Sequence, residues 1–106
     1  MAIDRHDNRE TLEEGEANAI GTEYLRADLL PSKVSEKTKV LLLQYLDQRI
    51  LFYSSQPKEK IQEIRDRTNQ LQNALWQEIV PVAHQQATPT IALTVSGMND
   101  VLNSQG

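Results

Sequence analysis

Glu13, Glu14 and Glu16 form the densest group of chemically capable side chains in the chain. Glu13 and Glu16 are three apart and share a face if the segment is helical. A hard cation such as calcium needs six or more oxygens from a loop of defined spacing, and that spacing is absent. His6 and Glu10, four apart, offer two ligands, and His84 is remote. Helix-borne two-metal centres use Glu-x-x-His motifs on several helices, yet the residue three before His84 is Pro81. Cysteine is absent, which excludes disulfides, thiolate zinc and a cysteine nucleophile. Ser96-Gly97 lacks the first glycine of a Gly-x-Ser-x-Gly elbow, and no glycine-rich loop could cradle a phosphate. The residues therefore predict no enzyme, no metal and no cofactor.

A different constellation lies in residues 16–27. Asn18, Thr22 and Arg26 recur at four-residue steps and make a polar strip on a helix, with Tyr24 beside it. Such a strip can hydrogen-bond a neighbouring helix or line a binding groove. It can also satisfy backbone carbonyls near a helix end. Gly21 sits among good helix formers, where glycine costs about 1 kcal/mol relative to alanine. With Ala17 and Thr22 nearby, it predicts a tightly nested contact between helices. Trp76 is the single tryptophan. It is expected to pack partly buried against the second helix, or to serve as a docking point.

Four helices are expected to position these residues. The first spans about 4–28, some 36 Å by helical rise, with a stripe of Ala17, Ile20, Tyr24 and Ala27. Pro31 should stop it. The second spans about 34–53, capped by Ser32 or Ser35. Its stripe is Leu42, Leu46, Ile50 and Tyr53, widened by Leu41, Tyr45 and Phe52, which predicts the most buried helix. The third spans 57–84, with Pro57 in its first turn, a stripe from Ile61 to Val82 and a kink at Pro81. The fourth spans 89–103, with Thr88 as cap and Pro89 in the first turn. A strand over Thr90–Ser96 competes with it but would have no partner. The expected fold is all-α: one domain over 1–106, a small antiparallel bundle of three to four helices with a long first helix.

Composition sets the remaining limits. The 106 residues suit one domain, and the 39% hydrophobic share implies a narrow core. The net charge is −4, concentrated at the front: residues 1–30 carry eight acidic and three basic side chains. Phosphate-bearing partners are repelled by that surface, so nucleic acid is not expected. No signal peptide is visible, and the longest strongly apolar run, Val40 to Leu43, is far short of the ~20 residues of a spanning helix. As given, the chain is expected to be soluble.

Glu16-Ala17-Asn18-Ala19-Ile20-Gly21-Thr22, then Tyr24-Leu25-Arg26-Ala27 and Leu30-Pro31, resemble the signature of the bestrophin-like family of bacterial integral membrane proteins, a domain of unknown function. Tyr45, Arg49, Leu71-Gln72 and Leu75-Trp76 also fit that pattern. Asp4-Arg5 through Arg9 and Asn99 to Gly106 resemble the approaches to its flanking membrane helices. The resemblance implies a non-enzymatic domain lying between two pairs of membrane spans that this chain lacks, as an excised domain or a truncated homologue. It further implies an extracytoplasmic position, because the family's short basic loop belongs in the cytoplasm. Self-association as a homo-oligomer, or contact with a partner membrane subunit, is the expected role. The competing reading is a free-standing helical protein that binds a small ligand or a metal.

Overall fold

Three of the four prolines stand at helix starts, where a missing N–H costs no hydrogen bond, and the fourth, Pro81, lies inside a helix. The computed structural model describes residues 5–54 and 56–103, with side-chain surroundings from residue 13 onward. Helix α1 runs Arg5–Arg26 and tightens into a 3-10 turn at Ala27–Leu29. Pro31 is the residue before α2, Ser32–Tyr53. Pro57 precedes α3, Lys58–Gln85, and Pro89 is the first residue of α4, Pro89–Asn103. All four expected helices are present, and no strand occurs among the described residues.

Several boundaries and caps differ from the sequence reading. Ser32 is the first residue of α2 and Ser35 lies within it, so neither caps it, and among the described residues no side chain does. Instead the Ser35 N–H donates to the Pro31 carbonyl at 2.8 Å. The Thr88 cap is present: its Oγ1 accepts from the Ile91 N–H at 3.2 Å. α3 continues through Pro81 to Gln85 and, at 28 residues, is the longest helix. Among the described residues α1 and α2 each have 22 residues.

The helices close a ring. Each packs on the next in sequence and α4 returns to α1, while the diagonal pairs make no close approach among the described residues. Ile20, Leu42, Tyr45, Leu71, Leu75, Ile79, Ile91, Met98 and Val101 fill the centre. Two threonines tolerate burial there by turning their hydroxyls back onto their own helix. Thr68 donates to the Ile64 carbonyl at 2.7 Å and Thr94 to the Thr90 carbonyl at 3.1 Å. The molecule is flat, with extents of 47 × 34 × 17 Å. Its radius of gyration is 15.0 Å, against about 13 Å for a rounded chain of this length. A flat bundle leaves more of each helix facing outward, and that decides where the functional surfaces lie.

Candidate functional site

The inner face of the first helical segment keeps Ile20 and Ala27 of the expected stripe but not Ala17 or Tyr24. Glu16, Ile20, Glu23 and Ala27 are buried, while Ala17 is exposed and Tyr24 half-buried. Two carboxylates seven residues apart thus point into the bundle, and the protein handles them differently.

Glu16 is neutralised by a partner. The Arg49 guanidinium on α2 donates to it through Nε at 2.9 Å and Nη2 at 3.4 Å, both side chains being buried. The guanidinium also lies over two rings, 4.5 Å from the Phe52 centroid and 5.7 Å from that of Tyr53. Burial first, and then a hydrogen bond to Glu16, hold the Tyr53 hydroxyl above its ordinary pKa. A buried pair of this kind joins α1 to α2 and fixes which faces meet, more than it adds net stability.

Glu23 is neutralised by a proton. Its side chain is 0% exposed, and neither carboxylate oxygen has a hydrogen-bond partner among the described residues. Burial pushes its pKa up to about 8; nearby Arg26 opposes the rise and Asp100 adds to it. At neutral pH the group is therefore a protonated acid between α1 and α4. Gly97 explains how it fits. A Cβ at that position would collide with the Glu23 carboxyl and lie 2.7 Å from Arg26 Nη1. The glycine that permits a close approach is Gly97 on α4, and the approach is made by an acid and a guanidinium.

Over this junction lies a groove of about 200 Å³ lined by Asn18, Ala19, Thr22, Arg26, Gly97 and Asp100. The polar strip read from the sequence thus lines a groove against α4. Gly21 does not take part. It is exposed, and a Cβ there would meet nothing within 4 Å. The expected nesting at Gly21 is therefore corrected: glycine in α1 marks an outward surface, not an intramolecular contact. Tyr24 lies under the Lys39 ammonium, 5.4 Å from its ring centre, and Lys39 pairs with Asp28. Trp76 packs against the core and lines a larger groove of about 760 Å³ between α3 and α4, with Ala83, Ile91, Ala92 and Val95. Among the described residues, no charged side chain lines that groove.

Sequence reasoning missed Glu16, Glu23, Arg49 and Gly97 as site residues. The available signal was spacing: Glu16 and Glu23 share the register of Ile20 and Ala27, at steps of four, three and four. Discounting glutamate as a core residue hid it.

The second surprise is α2. Its buried residues are Ser35, Thr38, Leu42, Tyr45 and Arg49, so it buries fewer apolar groups than α3, contrary to the expectation that it is the most buried helix. Ile50, assigned to its inner stripe, is exposed. On the opposite side Val40, Leu43, Ile50 and Leu51 are between 40% and 54% exposed. They are spaced as a helical face, with Asp47 among them. α2 is apolar on two sides, and only one faces the core.

Among the described residues, no group of three or more potential ligands gathers to hold a metal, and His84 is exposed. His6 and Glu10 lie outside the residues whose side chains are described. No helix among the described residues is long and apolar enough to cross a membrane. Compared with family models, curated proteins and solved structures, the chain has no match.

Proposed function

We propose that this chain is a non-enzymatic helical domain that works by contact, with a second copy or with another protein, and that the contact surface is the outer face of α2. One observation carries the reading: Val40, Leu43, Ile50 and Leu51 form an apolar face pointing away from the core. A helix apolar on both sides is ordinarily covered on both sides. Exposed apolar side chains gathered on one helix face, with charges among and beside them, are a signature of an interface. The short links between helices support the antiparallel order expected of the bundle.

The wider setting rests on the residues of α1. Their resemblance to the bestrophin-like signature supports a place between membrane spans of a multi-pass protein, on the extracytoplasmic side. In that setting a weak contact gains strength, because tethering raises the local concentration of the partner.

Site-specific photo-crosslinking in cells that make the protein tests the reading. A photoreactive residue replacing Leu43 or Ile50 should give discrete covalent adducts. The same residue at exposed Asn73 on α3 should give none. Equal yields at all three sites would remove the proposal.

A second reading is favoured by the uncharged α3–α4 groove, whose volume falls within the range of small-molecule sites. There the chain would take a neutral, mostly apolar ligand. Trp76 lines the groove, so its fluorescence reports occupancy directly. Saturable quenching by a neutral apolar dye, lost in Ala92→Glu, would support this reading. A linear, non-saturating response would end it.

A further inference from the structure

We propose that the partner on the outer face of α2 is a second copy of this chain, with the two α2 helices antiparallel about a two-fold axis at Val40. The inference rests on the contact reading above and adds the identity and geometry of the partner.

The argument is one of register. Lys33, Val40 and Asp47 are exposed and are spaced by seven residues, so they fall in one column along the outer face of α2. A two-fold axis through Val40 sets Val40 against its own counterpart. The same operation places Asp47 of each copy opposite Lys33 of the other. Two ion pairs then form from charges that have no ion-pair partner among the described residues. Lys37, by contrast, already reaches Glu78 on α3 at 2.8 Å. Leu43 would meet the aliphatic stem of Lys37, which can cover apolar surface while its ammonium stays in water. Exposed Glu36 would meet exposed Gln44. Leu51 would extend toward the residues just before α2 of the other copy, where Leu29 is exposed. A parallel pairing in register loses all of this, because it sets Lys33 on Lys33 and Asp47 on Asp47. Isologous pairing of one patch with itself is also the commonest form of closed assembly.

Area sets the strength. The face of a 22-residue helix is about 33 Å long and about 10 Å wide, on the order of 330 Å². A standard interface buries about 800 Å² on each partner. The pairing is therefore weak and concentration-dependent, which suits chains held close together by other means.

The chain has no cysteine, so one introduced thiol reads out the geometry. Val40→Cys should form a disulfide-linked dimer under mild oxidant at least about tenfold faster than Asn73→Cys, because a disulfide needs Cβ atoms about 4 Å apart. Sedimentation of the unmodified protein should show a reversible monomer–dimer equilibrium. Asp47→Lys should weaken it about tenfold by turning two attractions into repulsions, and Lys33→Asp combined with Asp47→Lys should restore it. Oxidation of Val40→Cys no faster than the control overturns the inference, as does a purely monomeric protein up to about 1 mM. If adducts from Leu43 contain another protein while the purified chain stays monomeric, the second copy is wrong and the contact reading stands. If Leu43 yields no adduct, both fall.

Discussion

At the scale of the residue, two buried glutamates decide how α1 meets its neighbours. Glu23 titrates near pH 8 in the folded chain and near 4.5 when unfolded. Between those values the folded state keeps a proton that the unfolded state has lost. Stability must therefore fall as pH rises from about 4.5 to about 8 and then level off. Glu23→Gln should remove that slope. At pH 9 the variant should exceed the unaltered protein by at least about 1 kcal/mol, read from urea-unfolding midpoints; a parallel pH profile for the two would contradict the assignment. Glu16 is instead joined to α2 by its ion pair with Arg49. Arg49→Met leaves a buried carboxylate without its counter-ion and should cost about 3–5 kcal/mol. Pairing it with Glu16→Leu should recover most of that loss, measured as a coupling energy in a double-mutant cycle.

At the scale of the element, the close helix contact expected at Gly21 lies instead at Gly97. Gly21→Ala should raise stability by about 0.5–1 kcal/mol, since a helix interior gains from alanine and the space there is open. Gly97→Ala should lower stability, because its methyl would strike the Glu23 carboxyl and Arg26. Thermal unfolding of the two variants separates them by sign. The helices themselves were legible: Pro31, Pro57 and Pro89, with the Thr88 cap, marked the breaks to within two residues for α2, α3 and α4. The Asn18–Thr22–Arg26 strip was legible too, because four-residue steps leave little freedom on a helix. The inner faces of α1 and α2 were not. Glutamates at positions 16 and 23 read as solvent-facing by hydropathy, although Arg49 and a bound proton make them tolerable inside. In α2 apolar residues lie on both sides, so periodicity alone could not say which side packs. Ile50 went to the inner stripe for that reason, and its neighbours Arg49 and Tyr45 hold the core instead.

At the scale of the whole molecule, the ring of four helices is too flat to hide every apolar side chain, and the surplus lies in an ordered place. Val40, Leu43, Ile50 and Leu51 could serve folding or contact, and the two roles separate cleanly. The unfolding midpoint of a variant with all four changed to glutamine, measured at low protein concentration, tests the central claim most directly. A midpoint equal to or above that of the unaltered chain is expected, because these side chains face away from the core. A fall of several kcal/mol, the scale of lost core packing, would mean that they hold the fold together and would contradict a contact role for the outer face of α2.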